Sequence, residues 1–279
     1  MTDQPTWHLS GFGDEIDPDP RVQVAVLQAL GARHIEVRSA WGTNVADLTD
    51  AQLRELRTLL DDTGHRVSAV ASPIGKVDVA DAGGELGRLR RIAEVAHALD
   101  TRYVRIFSFY RPDGVTAAAV RDDVLDALGR LTEIAADADL VLLHENEKGI
   151  YGDTPERVLD LVTTLASPAF RLAWDPANYV QVGVRPHSDG WADLAPYVDY
   201  LQVKDADLAT GDVRPAGEGD GEVADTVAAL AASGYAGFAS LEPHLTVAGQ
   251  MGGFSGPAAF GTAARAFARI TERAGVSLS

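Results

Sequence analysis

The chain is 279 residues long, 46% apolar and free of cysteine, and it carries a formal net charge of −17 at pH 7. A length near the roughly 250 residues of a typical α/β barrel, with no Pro-, Gly- or Ser-rich linker, predicts a single domain over residues 1–279. The acidic balance argues against nucleic acid or an anionic membrane as partners, and the lack of cysteine excludes disulfides, thiolate catalysis and Cys-ligated zinc.

The opening MTDQPTWHLSGFGDE has neither the basic start nor the apolar core of a signal peptide, which points to a cytoplasmic location. Its apolar residues predict a first strand over residues 7–12. The GFGDE that follows lacks the later glycine of a dinucleotide fingerprint and is read as a loop. VQVAVLQALG has apolar residues at helical spacing and stops on Gly31. A second strand is predicted at 34–38. LTDAQLRELRTLLDDTG follows, with Thr49 as N-cap and Gly64 as stop. Strand three, at 66–71, precedes the helix pattern GELGRLRRIAEVAHALD, and strand four, at 102–107, precedes AAVRDDVLDALGRLTEIAADAD. Strand five covers 140–144, and its helix has Pro155 at the first helical position and Glu156 in the first turn. Strand six, at 170–174, leads to a short helical slot around GWADLAPY. Strand seven, at 197–203, and strand eight, at 238–241, are followed by EVADTVAALAASG and GPAAFGTAARAFARITERAG. No apolar run approaches the roughly 20 residues of a membrane span. Eight strand–helix pairs in succession predict an α/β fold, a (β/α)8 TIM barrel whose strands all open their C-terminal ends onto one face.

Four of those strands finish in residues that can ligate a divalent metal: Glu145 in LLHENE, Asp175 in LAWDP, Gln202 in YLQVKDA and Glu242 in SLEPH. Each of these residues taken alone can equally serve a helix N-terminus or a structural pair, as Asp175 before Pro176 illustrates. All four at the same end of successive strands favour a shared site. An all-oxygen donor set suits one Mn²⁺ or Mg²⁺ ion better than zinc. Two carboxylates on opposite sides of a sugar can also move protons, one removing a proton beside a carbonyl and the other returning it, so Glu145 and Glu242 are the candidate catalytic pair. Glu147, two residues beyond Glu145, is a competing ligand if the strand register shifts.

These stretches together resemble the xylose-isomerase-like TIM-barrel superfamily of sugar phosphate isomerases and epimerases. The likeness runs from GFGDEI through ASPIGKVD, HENEKGIYGDTPERVLDL, WDPANYVQVG, VKDA and PAGEGDGE to SLEPHL and GGFSGP. It implies a barrel in which a metal is held by Glu145, Asp175 and Glu242. The family's fourth ligand, a His in strand seven, is replaced here by Gln202, within Gln202-Val203-Lys204-Asp205. A His that commonly contacts substrate three residues after the Asp is replaced by Asn178. Asn bonds a hydroxyl but does not carry a proton near neutral pH, which leaves the chemistry to the carboxylates with Lys204 as helper.

The remaining substrate-binding candidates are Glu36, Lys76 and Glu218. Glu36 and Arg38 close strand two and can meet substrate or each other. Arg105 is expected to pair with a buried carboxylate, and His144, by alternation, to turn away from the ligands. PAGEGDGE is read as a mobile active-site loop that brings Glu218 toward the metal face, and Trp41 and Phe109 as core residues or an apolar wall. The resulting expectation is a metal-dependent isomerase or epimerase of a ketose, a polyol derivative or a sugar phosphate. A lyase or dehydratase using the same site, or a non-catalytic sugar-binding barrel, are the alternatives. A homodimer or homotetramer is implied by the resemblance alone.

Overall fold

The computed structural model describes residues 5–249 and 252–279. Eight parallel strands form the barrel wall: β1 (Thr6–Gly11), β2 (His34–Val37), β3 (Arg66–Ala71), β4 (Tyr103–Ile106), β5 (Val141–Glu145), β6 (Phe170–Trp174), β7 (Val198–Val203) and β8 (Phe238–Leu241). They follow one another in sequence order from β2 to β8, and β8 pairs with β1. The ring closes at its upper edge through a bridge between Phe12 and Glu36. Lower down, the edge of β1 is covered by a short parallel strand, Ser277–Leu278, set against Thr6 and Trp7.

The outer layer is α1 (Pro20–Ala29), α2 (Asp50–Thr63), α3 (Glu85–Ala98), α4 (Ala117–Asp137), α5 (Pro155–Leu165), the single-turn α6 (Pro176–Val180), α7 (Val223–Ala232) and α8 (Gly256–Arg273). Their boundaries follow local chemistry. Thr49 and Gln52 form a complete capping box on α2, and Gly64 ends it at φ +69°. Pro155 opens α5 with Glu156 in its first turn. The segment around GWADLAPY is a π-turn, His187–Trp191, running into Ala192–Leu194, so the sixth slot is filled by short pieces. Among the described residues no helix is long and apolar enough to cross a membrane.

The main apolar core lies between sheet and helices and includes Trp7, Leu27, Leu56, Ile92, Leu131, Trp174 and Phe267. A smaller cluster inside the barrel holds Ala69, Val141, Leu143, Ala173 and Tyr200. Phe109 is fully buried in the outer core, which settles its role as packing, and Trp41 packs against the same core.

The turns after β3 and β4 are laced together and set the height of Lys76 and Arg105. Phe107 N–H donates to Ile74 O at 2.9 Å and Phe109 N–H to Gly75 O at 3.0 Å, while Gly75 N–H donates to Glu85 Oε2 at 2.8 Å. Gly75 has φ +84°, and a Cβ there would fall onto the carbonyl of Phe107. Gly75→Ala is expected to cost about 2 kcal/mol or more and to lower the melting temperature by about 4 °C or more. A thermal melt shifted by less than about 1 °C would remove this turn from the structural role given to it.

Candidate functional site

Side chains alternate along a strand, so every second residue of each barrel strand points inward and successive inward positions climb toward the C-terminal face. On β2 this gives His34, Glu36 and Arg38, on β7 and its exit Tyr200, Gln202 and Lys204, and on β8 Phe238, Ser240 and Glu242. On β5 and β6 the series end at Glu145 and Asp175. The same rule turns His144 outward, where it is fully buried, stacks on the Phe170 ring at 5.9 Å and leaves both ring nitrogens without a hydrogen-bond partner.

Glu145, Asp175 and Glu242 converge at the top. One carboxylate oxygen from each lies within 4.8 Å of the other two, and all three side chains are buried. Asp175 divides its oxygens between two tasks. Oδ1 accepts from Asn178 N–H at 2.9 Å and so caps α6, whereas Oδ2 lies 2.7 Å from Lys204 Nζ. Lys204 Nζ also reaches Glu242 Oε2 at 2.9 Å. Glu242 Oε1 is met by Arg38 Nη1 at 3.1 Å, and Glu145 Oε2 by Arg105 Nε at 3.1 Å. Asn178 Nδ2 donates to Glu145 Oε1 at 3.1 Å, so Asn178 orients a carboxylate of the cluster.

Gln202 lies one layer below. Its Nε2 donates to both oxygens of Glu36, at 3.1 and 3.3 Å, and its Oε1 is buried without a partner. Tyr200 OH donates to Glu36 Oε2 at 2.9 Å. Glu36 and Arg38 therefore do not pair: they occupy different layers, and Arg38 Nε turns to Asp14 Oδ2 at 2.8 Å. Arg105 does pair with a buried carboxylate, Glu145. Lys76 sits on the rim, paired with Glu147 at 3.2 Å and 4.2 Å over the Phe107 ring.

Glu218 is not drawn into this cluster. It is more than half exposed and faces Arg269 of α8 at 3.6 Å. Its loop instead wraps Asp205, whose carboxylate accepts the N–H groups of Gly217, Gly219 and Gly221 at 2.8, 3.1 and 2.8 Å. Glycine is needed for that approach, because a Cβ on Gly219 would meet Ala206 O at 2.5 Å and one on Gly221 would meet Asp205 Oδ1 at 2.6 Å.

His244 and Glu15 belong to the site and were not singled out in the sequence. His244 Nε2 lies 3.1 Å from Glu15 Oε1 and 3.4 Å from Glu242 Oε1. Their only sequence signals are the GDE after β1 and the Glu-Pro-His spacing after β8.

The charges do not titrate alike. Burial raises Glu145 to about 8, with Arg105 opposing and Glu242 adding to the rise. Burial likewise lifts Asp175 to about 6 against the pull of Lys204. Burial pushes Glu242 upward as well, but Lys204 and then His244 overcome it and hold this carboxyl well below its usual range. Desolvation works against a charged His244, yet Glu242 and Glu15 bring it to about 9. Burial thus favours the protonated form of Glu145 while the neighbouring cations favour the ionised form of Glu242, two carboxyls driven apart by their surroundings.

The donor set fits a divalent cation. Glu145 Oε2, Asp175 Oδ2 and Gln202 Oε1 are all buried and accept no hydrogen bond, the two carboxylate oxygens being met only by ion-pair contacts. Three carboxylates and an amide oxygen are hard donors of the kind Mg²⁺ and Mn²⁺ take. The cavity above them measures about 70 Å³ and is lined by Arg38, Arg105, Glu145, Lys204, Glu242 and His244 among others.

Known proteins resemble this chain in sequence and in fold. The 2-epi-5-epi-valiolone 7-phosphate 2-epimerase of Actinoplanes sp. is 32% identical over 225 residues, 77% of this chain and 79% of that one. A xylose isomerase-like TIM barrel protein from Mycobacterium smegmatis, solved in complex with magnesium, superposes with a TM-score of 0.72 at 20% identity over 98% of each chain. A D-tagatose 3-epimerase-like protein reaches a TM-score of 0.79 at 17% identity, over 96% of this chain and 98% of its own. The profile of the xylose isomerase-like TIM barrel family matches residues 24–270, nearly the whole barrel, and the chain belongs to that family.

Proposed function

We propose that the protein is a divalent-metal-dependent epimerase or isomerase of a ketose, a polyol derivative or a sugar phosphate. The observation that carries this reading is the convergence of Glu145, Asp175 and Glu242 within 4.8 Å, with the buried, unpartnered Oε1 of Gln202 one layer below. These four residues would hold the cation, which when bound polarises a substrate carbonyl and stabilises the negative charge that develops on its oxygen.

The chain's own groups supply the proton chemistry. Glu242, held ionised by Lys204 and Arg38, accepts a proton from the carbon beside the carbonyl. Glu145, whose proton affinity burial raises, returns one to the neighbouring carbon or to the other face of the same carbon. Asn178 fixes Glu145 through its 3.1 Å hydrogen bond. Lys204 lies beside both Asp175 and Glu242, and Lys76 stands on the rim. Both offer positive charge to a substrate hydroxyl or phosphate. The Actinoplanes relative, by its name an epimerase of a cyclitol phosphate, supports a substrate of this class.

A cavity of about 70 Å³ is far smaller than the roughly 300–1,000 Å³ of pockets that enclose small organic ligands. Entry of a sugar therefore requires the contacts over the site to open. Those contacts include Arg38 Nη2 donating to Gly253 O at 3.1 Å and the approach of Gly253 N to His244 Nε2 at 3.2 Å.

Two experiments test this reading. Adding Mg²⁺ or Mn²⁺ at about 100 times its dissociation constant is expected to stabilise the protein by about 2.7 kcal/mol, seen as a rise of several degrees in melting temperature. Asp175→Asn is expected to abolish that rise, and an equal rise in the variant would remove Asp175 from the ligand set. In D₂O, the metal-loaded protein with a panel of ketoses, inososes and their phosphates is expected to place deuterium on a carbon beside the carbonyl, followed by NMR. Glu242→Gln and Glu145→Gln should each lower that exchange by about 10²–10⁴-fold with the circular dichroism spectrum unchanged. Undiminished exchange in either variant would refute its role in proton transfer.

A further inference from the structure

At the opposite, N-terminal end of the barrel lies a cavity of about 580 Å³, a size that encloses small organic molecules. It is lined by the lowest inward-facing positions of the strands. His8, His34, Tyr103 and Phe238 form a continuous aromatic floor, with ring centroids 4.9 Å apart for His8–His34, 5.0 Å for His34–Phe238 and 6.2 Å for Tyr103–Phe238. All four are only partly buried, so their faces remain open to the cavity. Nδ1 of His34 is buried there without a hydrogen-bond partner.

Arg33, Arg66 and Arg102 also line this cavity, and all three are exposed. Among the described residues none of them forms an ion pair. Several other outer arginines are matched, as in Arg57–Asp61, Arg91–Asp50, Arg121–Asp160 and Arg171–Asp199. Asp100 is the one acidic side chain among the lining residues. The positive surroundings are felt inside the cavity. Burial first, then His8, Arg66 and His65, lower His34 to about 4.

We propose that this opening is a second small-molecule site, which takes a flat aromatic anion with its ring on the His34–Phe238–Tyr103 floor and its phosphate, sulfonate or carboxylate on Arg33, Arg66 and Arg102. Guanidinium groups hold such oxyanions through paired, charge-assisted hydrogen bonds, and the aromatic floor accepts a ring by offset or edge contact. At the opposite face the lining arginines, Arg38 and Arg105, are already engaged by carboxylates.

Phenyl phosphate and inorganic phosphate are suitable probes for calorimetric titration of the full chain without added metal. Phenyl phosphate is expected to bind one to one and at least about tenfold more tightly than inorganic phosphate, since only it uses the aromatic floor. The variant combining Arg33→Ser, Arg66→Ser and Arg102→Ser should lose about tenfold or more in affinity while keeping its melting temperature, because these side chains are exposed. In the unaltered protein, NMR should show the ring signals of His8 and His34 moving on titration while that of His244, at the other end of the barrel, stays fixed. Equal binding of the two probes, unchanged affinity in the triple variant, or a response at His244 in place of His34 would each overturn the proposal.

Discussion

Burying several carboxylates at one end of a barrel is possible only because Arg38, Arg105 and Lys204 are buried with them. Ionised groups removed from water each cost several kcal/mol unless they are paired and hydrogen-bonded. Glu145, Asp175 and Glu242 are at most 3% exposed, and so is Lys204. The cluster resolves the conflict unequally. Lys204 and Arg38 both turn to Glu242 and favour its charged form, while Glu145 has Arg105 as its one ion-pair partner among the described residues and burial raises its proton affinity. The inequality that keeps the fold tolerable is also what a two-acid proton transfer needs. Stability and the proposed chemistry rest on the same three cations.

Geometry decides which residues join that cluster. The barrel's inward positions come every second residue, so Ser240 and Glu242, or Gln202 and Lys204, must share an interior side at different heights. The register shows it: Ser10 pairs with Ser240 and Ser240 with Gln202, one layer above the level where His8 pairs with Phe238. A charged upper layer, a polar middle layer and an aromatic lower layer are thus three readings of one alternation. The N-terminal cavity and the carboxylate face are its two ends.

Much of this could be read from the chain alone, and what escaped did so for identifiable reasons. Strands buried on both faces stand out as apolar runs, and Glu145, Asp175 and Glu242 follow from where those runs stop. Arg105 was legible too, because a cation inside a barrel strand has few options other than a carboxylate. The pairing of Arg38 was not. Glu36 and Arg38 are two residues apart on one strand, which looks like an ion pair until the layers are known. Asp14, Glu15 and His244 lie beyond the strand ends, where the period of two no longer assigns a direction. The glycines at 217, 219 and 221 misled in another way. Their two-residue spacing looks like a loop built for movement, but it is the spacing that lets three amides close on Asp205.

Gln202 shows how a lower layer constrains the upper one. A hydrogen-bonded column runs from Ser10 Oγ and Ser68 Oγ, 2.7 Å apart, through Tyr200 OH, 2.8 Å from Ser68 Oγ, to Glu36 and on to the amide of Gln202. Gln202 divides its amide: its NH₂ is committed to Glu36, which leaves Oε1 as the buried group without a partner. Burial holds Glu36 at about 7, so the acceptor below Gln202 sits near the balance between its two protonation states at neutral pH. The Nε2 group of Gln202 lies 3.1 and 3.3 Å from the two oxygens of Glu36, and its carbonyl oxygen has no hydrogen-bond partner. The replacement of the usual histidine is thus compatible with a fourth oxygen donor, supplied as a neutral dipole. That leaves the negative charge of the site to the three carboxylates and its compensation to Arg38, Arg105 and Lys204.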